Sequence, residues 1–190
     1  MTTYKGIRGQ TIRTVAGDAS PLIAGDIWYN SSSKKIKGSK LVAGAWASGG
    51  NQVNIIKGRV GFGIYTAGHT TGGISPAGAN QTKNEQYDGT TWTELNDINA
   101  ARAYAAGCGT ATAGLFFAGL NPGDSDVVTS EEWDGTNWAE VADLATAVQD
   151  LGGAGVNSTS ALSFAGWTTT TSAAAEEWDV SASVETVAFD

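Results

Sequence analysis

A single cysteine, Cys108, means that no disulfide can form within the chain and no cysteine-based zinc site can assemble. Histidine is as scarce: His69 stands alone, which disfavours both Ser-His-Asp catalysis and a histidine-built metal centre. Three prolines against 26 glycines exclude a proline-rich disordered tract. No stretch approaches the roughly 18–20 apolar residues needed to cross a bilayer. The opening MTTYKGIRGQ has no apolar signal-peptide core, so export by that route is not expected.

Basic residues are few and unevenly placed. Nine of the eleven lie in residues 1–59, beside only Asp18 and Asp26, a balance of +7. Residues 60–190 hold Lys83 and Arg102 against seventeen acids, a balance of −15. A basic head on an acidic body suggests two surfaces with different partners. The acidic body makes nucleic acid an unsuited partner. A Lys cluster beside Trp28 and Tyr29 fits an acidic protein lattice with less machinery than phosphate contacts need.

What the sequence does have is repetition. Trp46, Trp92 and Trp138 are spaced 46 residues apart, EQYDGTTW (85–92) returns as EEWDGTNW (131–138), and a decayed copy, EEWDVSAS, begins at Glu176. Segments 101–119 and 148–166 align without a gap, and 50–68 aligns more loosely; each ends in Ala-Gly, at Gly68, Gly119 and Gly166. The interval of 51 residues between the first two glycines, against 47 between the next, predicts a longer loop before Glu85. A period of this size denotes stacked copies of one supersecondary unit.

Ala, Gly, Thr and Ser dominate, with 41% apolar residues overall, and this composition suits short strands and tight turns. Four strands per unit are predicted, in the second unit near 103–109, 113–119, 129–134 and 137–142. Asp88-Gly89 and Asp134-Gly135 mark hairpins, since glycine accepts the positive φ of a tight turn. The aromatics before the turn (Tyr87, Trp133, Trp178) and after it (Trp92, Trp138) then face one another and pack between adjacent sheets.

A small-Gly step after an apolar strand, then an aromatic, a Gly turn and a Trp, resembles a kelch-like repeat over residues 46–190. It differs in having Ala-Gly where two glycines are usual, and Ser183 takes the place of the last Trp. DGTTW and DGTNW also resemble the aspartate-box turns of sialidase propellers, with one residue fewer between Asp and Gly. The kelch likeness implies an all-β chain: about three four-stranded β-propeller blades, at 46–95, 96–142 and 143–190, behind an N-terminal β-rich segment, 1–45. Three blades cannot close a ring, so two exposed edges invite association. A homodimer of six blades is expected, with a trimer as the alternative because elongated fibres commonly use three chains. KLVAGAW (40–46) is read as a strand pair from a further unit.

Residues 26–38 read as a hairpin, with Ile27 and Tyr29 on one face, Trp28 on the other and a basic return strand. GDIWYNSSSKKIKG is similar to a hairpin common in structural proteins of tailed bacteriophages. AGAWASGGN, followed by Ala/Gly-rich units with EEWDGT turns, resembles repeat proteins of marine phages. These likenesses imply a non-enzymatic virion component, assembled in the host cytoplasm, in a tail appendage or fibre or as capsid decoration. Residues 1–45 would seat it on other virion proteins, with Trp28, Tyr29, Lys34, Lys35, Lys37 and Lys40 as anchor candidates. The repeats would be displayed toward a host-surface glycan or protein, chiefly through loops 69–84 and 120–130. The alternatives are a free-standing glycan- or protein-binding propeller and, third, a glycan-cleaving enzyme.

Other chemistry-bearing residues point to the scaffold. Glu131-Glu132 and Glu176-Glu177 resemble a glycosidase pair, but they recur with the repeat, as scaffold positions do. His69 is expected on a solvent-facing loop and Cys108 as a small buried filler. Asp124 and Asp126 lack the spacing of a calcium loop, and GRVGFG (58–63) opens no helix that would cradle a phosphate. No cofactor and no metal is expected.

Overall fold

The computed structural model describes residues 12–41 and 43–181. Among these the chain is all-β, without a helix, and forms four small sheets of three or four strands. It divides into two units, one reaching Ser48 and the other beginning at Gly49.

In the first unit β1 (Arg13–Val15) runs parallel to β2 (Ile27–Asn30), which pairs antiparallel with β3 (Lys35–Gly38). The β2–β3 turn is set by Asn30, whose Oδ1 accepts the Ser33 N–H at 2.8 Å, and by Lys34 at φ 56°. Alternation along β2 buries Trp28 and Asn30 and leaves Ile27 exposed.

The second unit holds three meanders. Strands β4 (Val60–Ile64), β5 (Ala67–Thr71), β6 (Asn84–Tyr87) and β7 (Trp92–Leu95) form the first sheet. Its repeat is β8 (Ala106–Thr110), β9 (Ala113–Phe117), β10 (Ser130–Trp133) and β11 (Trp138–Val141). The third sheet has β12 (Gly152–Asn157), β13 (Ser160–Phe164) and β14 (Ala175–Asp179). All neighbours are antiparallel, and β8 packs against β4 on one side and β12 on the other.

The hairpin signals act as their chemistry dictates. Asp88 Oδ1 accepts the N–H groups of Thr90 and Thr91 at 2.8 and 2.7 Å, and Asp134 Oδ1 accepts those of Thr136 and Asn137 at 2.7 Å each. Gly89 and Gly135 follow at φ 95° and 96°. Those backbone donors hold both carboxyls below the usual aspartate range.

Two apolar layers separate the three sheets. Val60, Ile98, Phe116, Trp133 and Trp138, with Phe62 and Leu95, lie between the first and second. Ala106, Cys108, Leu115, Phe117 and Ala161, with Leu144 and Trp178, lie between the second and third. Strand β9 therefore sends Phe116 one way and Leu115 and Phe117 the other, which is why its apolar run is continuous. Cys108 fills its layer as a small group, and burial pushes its thiol up to about 11.

Hydrogen bonds fix the repeat register and correct one element of the sequence alignment. Gly119 N–H donates to Val148 O at 2.8 Å, and the same bond in the preceding repeat runs from Gly73, not Gly68, to Arg102 O at 2.8 Å. Gly73, Gly119 and Gly166 share φ 101°, 101° and 112°, and Gly72, Ala118 and Ala165 before them share φ 65°, 60° and 60°. Gly68 instead sits inside β5 opposite Gly63. The series is thus 73, 119 and 166, and the longer first loop expected before Glu85 disappears. The first repeat carries the double glycine that the other two replace by Ala-Gly.

Trp46 is corrected as well. It is 104% exposed, and no strand occurs among the described residues between Gly38 and Lys57, so the described residues of KLVAGAW form no strand pair. Its 46-residue spacing from Trp92 is not a structural equivalence, because no sheet among the described residues holds it.

Candidate functional site

Each repeat places a glutamate second in its third strand, and this carboxylate grips the chain entering the sheet. Glu85 accepts the N–H groups of Val53 and Asn54 at 2.9 and 3.0 Å. Glu131 accepts the Asn99 N–H at 2.7 Å, and Glu176 those of Ala145 and Thr146 at 2.7 and 3.0 Å.

Two of the three are also paired with arginine. Arg59 Nη1 lies 2.6 Å from Glu85, and Arg102 Nη2 lies 2.7 Å from Glu131, all four side chains being almost wholly buried. The arginines are not at equivalent repeat positions, yet both reach the same carbonyl position, that of Lys83 and of Thr129. Val148 occupies the third repeat's counterpart of Arg102, and among the described residues Glu176 forms no salt bridge. Burial pushes the Glu85 carboxyl up, but Arg59 and the two backbone donors outweigh it and hold the group below its usual range. Burial pulls the Arg102 guanidinium down, opposed by Glu131.

Carboxylates so occupied are internal clamps. Glu132 and Glu177 point to the opposite face from Glu131 and Glu176, half-buried and exposed respectively. Sequence reasoning missed the arginine partners, and the one available signal is the isolation of Arg102, one of only two Lys or Arg residues after residue 59.

His69 is the second correction that follows from the register. It lies in β5, not in a loop, and is 1% exposed. Its repeat counterparts are Leu115 and Leu162, so the imidazole occupies a leucine slot. The ring stacks on Phe62 at 5.1 Å and 6°, with Nε2 3.1 Å from Ala111 O and Nδ1 3.3 Å from Asn84 Oδ1. Burial lowers its pKa, partly offset by Asn84 and the Ala111 carbonyl.

The aromatic pairs sit where the hairpins put them. Tyr87 faces Trp92 with centroids 5.1 Å apart, and Trp133 faces Trp138 at 5.3 Å. Trp133 and Trp138 are buried because they face the layer between the first and second sheets, whereas Tyr87 and Trp92 are half-buried, and so is Trp178 at the margin of the second layer. Trp133 Nε1 donates to Ala111 O at 3.0 Å and Trp178 Nε1 to the equivalent Ser158 O at 2.8 Å.

Of the loops named for recognition, the first begins later than expected, since residues 69–71 belong to β5, and the second begins earlier, since β9 ends at Phe117. Segments 72–83 and 118–129 are braced by the bridges Ile74–Asn80 and Leu120–Asp126, and Asn80 Nδ2 joins them by donating to Leu120 O at 2.7 Å. Asp124 is a turn residue at φ 55°, and burial together with Asp150 pushes the Asp126 carboxyl up. Among the described residues no cluster of three His, Cys, Asp or Glu side chains comes together.

In the first unit Trp28 is 4% exposed, which removes it from the surface as an anchor. Tyr29 is half-buried, Lys34, Lys35 and Lys40 are exposed, and Lys37 pairs with Asp18.

No family model matches the sequence, and no curated protein matches it. Solved structures do. The one described as "Structure of YjhT" is similar to this chain with a TM-score of 0.57 at 12% identity, over 78% of this chain and 47% of that one. The likeness therefore bears on the fold alone, and the match spans about half the length of that protein.

Proposed function

We propose that this chain is a non-enzymatic structural component of a bacteriophage virion, built as a short anchor hairpin followed by three kelch-like propeller blades. In this role the first unit seats the chain on other virion proteins, in a tail appendage, fibre or capsid decoration. The blades are displayed for assembly or for contact with a host-surface glycan or protein, and copies of the chain associate as a dimer or a trimer. The observation that carries the proposal is the fate of the charges. Glu131 and Glu176, one from each pair that resembles a glycosidase couple, are spent on backbone amides, Glu131 on buried Arg102 as well, while Lys34 and Lys35 remain exposed on a GDIWYN hairpin and Lys40 just after it. A chain organised in that way puts its chemistry into holding itself together and docking.

Mass spectrometry of gradient-purified particles, followed by tracing of this chain in an electron-microscopy map, tests the assignment. Stoichiometric presence at a fixed position is expected; absence from intact particles overturns it. The alternative, a free-standing glycan- or protein-binding propeller, draws on the braced loops 72–83 and 118–129 joined through Asn80. It predicts glycan-array binding that persists when Lys34, Lys35 and Lys40 are replaced by serine.

A further inference from the structure

We infer that two copies of this chain join head to tail, the third sheet of one copy docking on the first sheet of the other through the same contact that joins successive sheets within the chain. The inference rests on the blade reading above and names the surfaces that carry it.

Inside the chain the joint has a fixed pattern. The forward face of one sheet presses on glycines and small residues of the next. Phe62 stands so close to Gly107 and Gly114 that a Cβ on either would come within 3.3 and 2.6 Å of its ring. One repeat later Phe117 and Ala106 stand 3.0 and 3.1 Å from a Cβ built on Gly153. At both joints the missing side chain is what lets the sheets meet.

The same positions exist, unmatched, at the two ends of the array. Gly61 and Gly68 are the first-sheet counterparts of Gly107 and Gly114. Among the described residues, a Cβ on Gly61 would meet nothing nearer than His69 O at 3.7 Å, and one on Gly68 nothing nearer than Ile64 O at 3.4 Å. Neither has a positive φ, so neither turn geometry nor crowding within the chain requires glycine there. At the other end, Ala154, Leu162 and Phe164 are the counterparts of Cys108, Leu115 and Phe117, which are buried in the second joint. Here Ala154 is exposed, Leu162 half-buried and Phe164 41% exposed, with Val156 bare beside them. One end thus offers a glycine recess beside Tyr87 and Trp92, and the other the apolar face that fills such a recess elsewhere. A second copy is the occupant that supplies both halves at once. Two copies related by a two-fold axis satisfy both joints and leave neither end open.

The test uses the full chain and two substitutions that its own fold has room for, Gly61→Arg and Ala154→Arg. Sedimentation equilibrium of the wild type should give twice the chain mass. Each variant alone should weaken self-association by about thirtyfold or more, with far-UV circular dichroism unchanged and the thermal midpoint losing its dependence on protein concentration. An equimolar mixture of the two should recover a pair, because one joint then has two wild-type faces. Gly68→Lys repeats the first arm if Gly61→Arg lowers folded yield. A monomeric wild type, an oligomer indifferent to both variants, or sensitivity to only one of them, as a face-to-same-face contact gives, overturns the inference. Gly114→Leu separates it from the blade reading. That side chain must collide with Phe62 inside the chain, so a fully stable Gly114→Leu refutes the stacked sheets themselves, whatever the state of assembly.

Discussion

The Trp133 indole and the His69 imidazole converge on one acceptor, the carbonyl of Ala111, at 3.0 and 3.1 Å. His69 comes from the first sheet, and Trp133 and Ala111 from the second, so a single turn carbonyl ties two repeats together. A leucine at this site, as in the other two repeats, would pack but would not bond.

That histidine should make the chain sensitive to mild acid. Its folded pKa is lowered from about 6.5, so the unfolded chain binds the proton first, and the stability from the neutral ring is present above pH 6.5. It is lost as pH falls through the lower folded value. Urea unfolding between pH 7.5 and 5 should show this decline in the wild type and its absence in His69→Leu. Asp88 and Asp134, whose folded values are lowered from 3.8, act only at more acid pH and leave the window clear.

Breaking the Arg102–Glu131 pair should be costly. Both side chains are almost wholly buried, so Arg102→Ala strands a carboxylate in the interior and should cost roughly 3–5 kcal/mol in chemical unfolding. Lys37→Ala, which removes the exposed pair with Asp18, should change stability by less than about 1 kcal/mol.

The tryptophans should fall into two classes. Trp138→Ala empties a buried ring from the first apolar layer and should cost roughly 3–5 kcal/mol. Trp46→Ala, at a fully exposed ring, should stay within about 0.5 kcal/mol. Denaturant midpoints measured side by side decide whether the 46-residue spacing of Trp46 has any structural meaning.

The corrected register makes its own prediction. A Cβ on Gly73 would lie 2.6 Å from Lys57 O at φ 101°, so Gly73→Ala should cost about 2 kcal/mol or more, whereas Gly68→Ala should change thermal stability by under about 0.5 kcal/mol. Equal effects would restore the alignment that the hydrogen bonds displaced.

Much of this architecture was legible before the coordinates. DGTTW and DGTNW announced their hairpins because aspartate, glycine and threonine each satisfy a local demand that no distant residue alters. The second repeat's strands were legible too, its LFF run being apolar on both faces. The first repeat misled, because Ala67-Gly68 imitates the Ala-Gly step and hides the true pair at Gly72-Gly73. That one slip also moved His69 from a strand interior to a loop. The arginine clamps escape a search by repeat alignment, since Arg59 and Arg102 reach equivalent carbonyls from positions that do not correspond.

Each repeat glutamate takes hold of the thread that arrives from its predecessor: Glu85 at Val53 and Asn54, Glu131 at Asn99, Glu176 at Ala145 and Thr146. The fastening is sequential, so tension on the two chain ends loads the latches in series. Among the described residues the last latch has no arginine behind it, and under pull it is the third sheet that should yield first, leaving the earlier two intact as a mechanical reserve.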